Sequence, residues 1–199
     1  MKQTKPPDSI LVFQLSGAGD AVLTTPFLKA LRAACPEARI DILAMSPEVR
    51  DLVQDNPHID RVRFFNFIEA GYLKSLFHCL KLRRERYDCC IAPMPNHRLE
   101  HNVIAGLIGA RHRIGFSYVM NSGAFPRWFF HTIIPEKNDL HIVDNNLRLL
   151  PEALDLPVPD LQYRLEVFRH EEDRQRAAAF LELTQELKPS RDNRRGFFE

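Results

Sequence analysis

The chain has 199 residues, 45% of them hydrophobic, which is enough to bury one substantial core and lies within single-domain size. Its 27 Lys and Arg residues are almost cancelled by 26 Asp and Glu, so no global field argues for nucleic acid. Four cysteines without paired metal-ligand spacing (Cys35, Cys79, Cys89 and Cys90) exclude a zinc module and read as buried thiols of a reducing compartment, not a disulfide framework.

Met1–Asp8 is polar and proline-bearing, with none of the apolar core of a secretory signal, and no uncharged apolar run approaches transmembrane length. A cytoplasmic location is therefore expected. The first apolar run, Ile10–Leu15, reads as a strand and stops at Ser16, Gly17, Ala18 and Gly19, small residues that let a substrate approach the backbone. A helix follows with Asp20 at its mouth, so this is a strand–loop–helix unit of the kind whose edge binds ligands in open parallel sheets. Two roles stay open for Asp20: an N-cap accepting from nearby backbone N–H groups, or a general base taking a proton from an attacking hydroxyl. Pro26 bears on the choice. Either the helix starts at Pro26 with Thr25 as its cap, freeing Asp20, or it starts at Asp20 and contains a kinking proline. A dinucleotide fingerprint fails because Val22 occupies the third glycine position and Asp41 falls early in the second strand; a P-loop fails for want of Gly-Lys-Ser/Thr.

Further along, Arg39–Met45 reads as a second strand and Pro47–Gln54 as a short helix capped by Ser46. Arg61–Phe65 follows as a third strand. Tyr72–Arg84 is a helix with Leu73, Leu76, Phe77 and Leu80 on one face, and its basic end, Lys81 to Arg86, suits the helix dipole. Tyr87–Ala92 is a near-continuous apolar strand, on which Cys89 and Cys90 face opposite sides. A helix over His97–Ile108 and a fifth strand over His112–Phe116 complete a doubly wound, mostly parallel α/β pattern. The rings of Phe125–Ile134 are expected in the core, the other reading being a membrane interface. His141–Leu154 reads as a helix, Leu156–Asp160 as a proline-rich linker, Tyr163–Phe168 as one more strand, and Glu171–Leu187 as an amphipathic helix.

Several of these segments occur together in one known family. The chain resembles, from about Ser9 to Phe168, the N-terminal half of the bacterial lipopolysaccharide heptosyltransferases of GT-B architecture. The resemblance rests on Leu15-Ser-Gly-Ala-Gly-Asp20 with Thr24-Thr-Pro26, on Asn56-Pro-His-Ile-Asp60, on Arg113-Ile-Gly-Phe116 and on His141-Ile-Val-Asp-Asn-Asn-Leu-Arg-Leu-Leu150. It implies inverting transfer of heptose from ADP-heptose to the inner core of lipopolysaccharide, without metal or other cofactor and with peripheral contact to the inner membrane. Asp20 is then the catalytic base, and Gly17, Ala18 and Gly19 line the substrate site. An acidic acceptor calls for cations at the strand ends, for which Arg98 and Arg113 are the candidates, with Arg111 and His97 beside them.

The resemblance also sets an organisation: a Rossmann-like acceptor-side domain over 9–155, a linker and helix over 156–188 toward a missing donor domain, and a disordered tail over 189–199. A half-cleft without a donor site is expected to be inactive alone. The competing reading is a non-catalytic module that binds an acidic glycolipid or a partner glycosyltransferase. A nucleotide-dependent dehydrogenase has only the fold class in its favour.

Overall fold

The computed structural model describes residues 6–96, 98–118, 126–168 and 175. The chain divides into two units, Met1–Val167 and Phe168–Glu199, and the architecture below is that of the first. Among the described residues six strands, β1 (Ser9–Gln14), β2 (Arg39–Ala44), β3 (Arg61–Phe64), β4 (Cys89–Ile91), β5 (His112–Ser117) and β6 (Thr132–Pro135), form one sheet in the order β3-β2-β1-β4-β5-β6. Every pairing is parallel. Among the described residues of this unit seven helices accompany them: α1 (Ala18–Ala34), α2 (Pro47–Val53), α3 (Phe67–Arg83), α4 (Leu99–Ile108), α5 (Pro126–Phe129), α6 (Ile142–Leu147) and α7 (Leu149–Ala153).

Strand alternation splits the core into two clusters. Ile10, Val12, Ile40, Ile42 and Cys89 pack under Phe27, Leu28 and Leu31 of α1 and Leu149 and Leu150 of α7. On the opposite face Leu11, Phe13, Leu43 and Cys90 pack under Leu82 of α3 and Ile104 and Ile108 of α4. Cys89 and Cys90 therefore do face opposite sides, and all four cysteines are buried free thiols. Burial pushes the Cys79 thiol up to about 11, so it stays protonated.

Asp41 is fully buried on the second face, accepting from Tyr87 Oη (2.6 Å) and Arg63 Nε (3.2 Å). It is a structural carboxylate inside the sheet, in keeping with its failure as a ribose-binding residue.

Three expectations need correcting, and the choice left open at Pro26 is decided. Helix α1 begins at Ala18 and contains Pro26, so Pro26 does not open it. Proline has no N–H for the Val22 carbonyl, and Thr25 Oγ1 donates to that oxygen instead (2.7 Å). The aromatic segment supplies α5 and a sixth strand, with Ile133 and Ile134 paired beside β5; Phe130 enters the core as expected, while Trp128 is 83% exposed. Tyr163–Phe168 forms no strand. The expected helix over 141–154 is divided at Arg148 into α6 and α7. The expected helix over 171–187 and the tail lie outside the described residues.

Within α3, Gly71 adopts φ 74° and ψ 168°, a conformation essentially reserved for glycine, which separates a first turn from a helix starting at Tyr72. The apolar face expected of that helix is outermost: Leu73 is 74% exposed and Phe77 69%. Among the described residues no helix is long and apolar enough to cross a membrane.

Candidate active site at the carboxyl edge of the sheet

Strand order reverses between β1 and β4, which lie side by side with Val12 opposite Ile91. In open α/β sheets the crevice beyond the carboxyl ends at such a point is where ligands bind, because the helices leave to opposite faces. Ser16 and Pro95 each stand four residues past that pair, so the two loops leave the sheet at one level. Helix α1 then covers one face and α4 the other.

The β1–α1 loop brings Gly17, Ala18, Gly19 and Asp20 together. Gly17 is the N-cap residue, in extended conformation and without a side-chain cap. The first intrahelical bond runs from the Ala21 N–H to the Gly17 carbonyl (3.1 Å), leaving the N–H groups of Ala18, Gly19 and Asp20 without helical acceptors. Asp20 is thus a first-turn residue, not the cap, and is half-buried. Among the described residues its carboxylate has no hydrogen-bond or ion-pair partner. Its backbone carbonyl accepts from Thr24 Oγ1 (2.8 Å), which braces this turn. A Cβ added to Gly17 or Gly19 would meet no atom within 4 Å, and neither sits in the left-handed region. The fold does not need these glycines; they keep the space above the helix mouth clear.

The β4–α4 loop is held much more firmly. The Met94 N–H donates to Asn146 Oδ1 (2.8 Å), and Asn146 Nδ2 donates back to the Met94 carbonyl (3.3 Å). The Asn96 N–H donates to Tyr118 Oη (2.6 Å), and Asn96 Oδ1 is hydrogen-bonded to His101 Nδ1 (2.7 Å). This bracing sets the start of α4, where Arg98 is exposed and, among the described residues, without an ion-pair partner. Arg98 lines a cavity of about 330 Å³ whose other walls include Tyr72, Phe67, Ile68, Glu100 and His101. Asp20 is not in its wall but on the α1 side of the same sheet edge.

Arg113 is placed elsewhere. Its register partner is Cys90, which pairs with Leu11, so it stands roughly 16 Å along the strands below Ser16. Its guanidinium donates to the carbonyls of Phe129 and Ala110. Arg111 forms an ion pair with Asp88 (3.4 Å) at the same amino edge. His97 lies outside the described residues. Among the described residues no three His, Cys, Asp or Glu side chains cluster as a metal site would require.

Asn146, Tyr118, Asn96 and His101 escaped the sequence reading as parts of the site. The Asp144-Asn-Asn146 run was the available signal, since two amides on a helix otherwise rich in apolar residues need buried partners. Asn145 has them too: it accepts from the Lys137 N–H (3.1 Å) and donates to the Lys137 carbonyl (2.9 Å).

Comparison with known proteins bears on this arrangement. Residues 76–189 match the model of glycosyltransferase family 9 (heptosyltransferase), a span that contains Arg98 and Asn146 but not the β1–α1 loop. Lipopolysaccharide heptosyltransferase 3 of Escherichia coli is 27% identical over 136 residues, covering 66% of this chain and 39% of that protein. The crystal structure of a family 9 glycosyl transferase from Veillonella parvula superimposes with a TM-score of 0.70 at 26% identity, over 89% of this chain and 49% of the other. The E. coli ADP-heptose lps heptosyltransferase II superimposes with a TM-score of 0.65 at 20% identity, over 87% and 50%, which shows a shared fold. The chain thus spans half or less of the length of these relatives. With the matched span exceeding half its residues, the chain belongs to glycosyltransferase family 9, the heptosyltransferase family.

Proposed function

We propose that this chain forms the acceptor-side half of an inverting, cytoplasmic heptosyltransferase that moves heptose from ADP-heptose to the lipopolysaccharide inner core. The reading is carried by one observation: a carboxylate, Asp20, without a partner among the described residues, in the first turn of a helix at the topological switch point. A carboxylate so placed can accept the proton of an acceptor hydroxyl as its oxygen bonds to the anomeric carbon and the bond to the ADP oxygen breaks. The N–H groups of Ala18 and Gly19, which have no helical acceptors, offer partial positive charge beside it. Arg98, in the wall of the neighbouring cavity, supplies the cation an acidic inner-core sugar needs, and the Tyr72 and Phe67 rings supply apolar surface for sugar C–H groups. Family membership and the heptosyltransferase relatives support the choice of donor and acceptor.

The test has two parts. Inner-core oligosaccharide is titrated into the 199-residue chain by calorimetry, where Arg98→Ala is expected to weaken binding about tenfold and added salt to weaken it further. Heptose transfer is followed as ADP release in a protein carrying this sequence, where Asp20→Asn is expected to lower kcat by 10²-fold or more at little change in acceptor affinity. Undiminished transfer by Asp20→Asn removes it from the chemistry. Acceptor binding that no form of the sequence turns into transfer favours the non-catalytic binding module.

A further inference from the structure

Apart from Tyr72, the outward face of α3 has no role in the site described, yet it gathers apolar side chains that a water-facing helix would not. From Gly71 onward, Tyr72 (96% exposed), Leu73, Leu76, Phe77 and Leu80 recur at helical spacing on the side away from the sheet. The inward side carries Ser75, His78, Cys79 and Leu82 instead. Leu99 and Val103 of α4, the helix packed beside it, are also exposed.

The charges around this ridge discriminate between partners. Residues 67–86 contain five basic side chains, Lys74, Lys81, Arg83, Arg84 and Arg86, against two acidic ones, and Glu85 is already paired with Arg63 and Arg39. On a helical projection Lys74 and Lys81 flank Leu73 and Phe77 on one side, and Arg84 continues the line of the ridge. Protein–protein interfaces are depleted in lysine, whereas helices lying in a bilayer surface set leucine and aromatic rings beside lysine and arginine. The position also fits: Ile68 and Tyr72 belong both to the ridge region and to the wall of the Arg98 cavity.

We propose that the outer face of α3 docks this protein on an anionic bilayer, with Leu73 and Phe77 entering the headgroup–acyl boundary and Lys74, Lys81 and Arg84 meeting lipid phosphates. Docked this way, the Arg98 cavity opens beside the membrane surface, where the sugars of a lipid-linked acceptor emerge. That consequence rests on the heptosyltransferase reading; the docking itself needs neither substrate nor catalysis.

The experiment is co-sedimentation of the full chain with vesicles of phosphatidylglycerol and phosphatidylethanolamine, with phosphatidylcholine vesicles as the neutral comparison, at low and high salt. The wild-type chain is expected to partition onto anionic vesicles and to be released by salt. Leu73→Ser with Phe77→Ser is expected to lower the partition coefficient more than tenfold, since two inserted side chains are lost. Lys74→Glu with Lys81→Glu keeps the apolar ridge and is expected to lower it at least fivefold per charge removed. All four side chains are exposed, so far-UV circular dichroism should match the wild type.

Absence of anionic-vesicle binding at low salt overturns the proposal, as does binding that neither pair of substitutions alters. Binding lost in Trp128→Ser but kept in the α3 variants would move the contact to the aromatic segment and equally overturn it. So would a concentration-dependent dimer, abolished by Leu73→Ser with Phe77→Ser, in a chain that ignores vesicles. Failure here with intact inner-core titration leaves the active-site reading standing.

Discussion

Asn146 offers the sharpest test of how the site is held. It is fully buried, and its amide grips the Met94 backbone twice, accepting the N–H at 2.8 Å and donating to the carbonyl at 3.3 Å. Asn146→Ala strands both Met94 groups, and Met94 is itself buried, so water does not readily replace the amide. At about 1–3 kcal/mol for each buried polar group left unmet, the loss is about 3 kcal/mol, or roughly 6–12 °C in Tm for a chain of this size. Asn146→Asp is more informative because it changes one proton, not the shape. A protonated carboxyl accepts from the Met94 N–H and donates to the Met94 carbonyl as the amide does; an ionised one repels that carbonyl and sits uncompensated in the core. The folded pKa is therefore raised above the unfolded value of about 3.9. A group raised in this way gives its full stability below the unfolded pKa and loses it as pH rises toward the folded one, at about 1.4 kcal/mol per unit. Because the side chain can always take up a proton, the cost at pH 7 has a ceiling of about 4 kcal/mol. Urea unfolding of wild type and variant from pH 4.5 to 8 measures the difference directly. A gap between them that stays constant over that range would refute the reasoning.

Gly19→Ala is expected to raise stability by up to about 1 kcal/mol, since alanine suits a helix better, while weakening substrate binding, because its methyl group enters open space at the helix mouth. Equal binding by wild type and variant would show that no ligand approaches there. Arg113→Ala should cost about 1–3 kcal/mol through the stranded carbonyls of Phe129 and Ala110 and leave acceptor affinity unchanged; weaker affinity at unchanged stability would return Arg113 to the acceptor site. Gly71→Ala is expected to cost about 1–3 kcal/mol, as φ 74° with ψ 168° strains any side chain, and thermal unfolding reads the loss. Burial opposes the charges of Asp60 and Glu166. The Ile40 N–H and Arg32 outweigh it at Asp60, as Lys29 and His58 do at Glu166, and both carboxyls are held below their usual range. Such groups stabilise above their unfolded pKa values, near 4, and lose that contribution as pH falls. Asp60→Asn and Glu166→Gln should therefore differ from wild type at pH 7 and converge with it below about pH 4.

Asp20 and its loop were legible from residue order, because an apolar run, four small residues and a carboxylate can only be a strand handing over to a helix. Ser46 ahead of Pro47 marked a helix start just as plainly, and its hydroxyl does accept from the Val49 N–H (3.4 Å). The Asn56-to-Asp60 motif was visible as a resemblance, but its work was not: Asp60 ties β2 to α1 by accepting from the Ile40 N–H (2.7 Å) and Arg32 (2.6 Å).

Period and punctuation thus settled β1 to β5, most of the helices and the alternation that sends Cys89 and Cys90 to opposite faces, since these depend only on neighbours along the chain; β6 and the absent strand at 163–168 escaped them. Tertiary structure alone decided which apolar face is covered. The spacing of Leu73, Leu76, Phe77 and Leu80 is the same whether the helix turns that face in or out, and Cys79 and Leu82 fill the inner side. It alone decided, too, that Arg98 lines a cavity between α3 and α4 while Arg113 stays at the amino edge, and that Asn146 reaches Met94 across 52 residues of sequence. Such pairings arise from strand order and register, which a one-dimensional pattern does not encode.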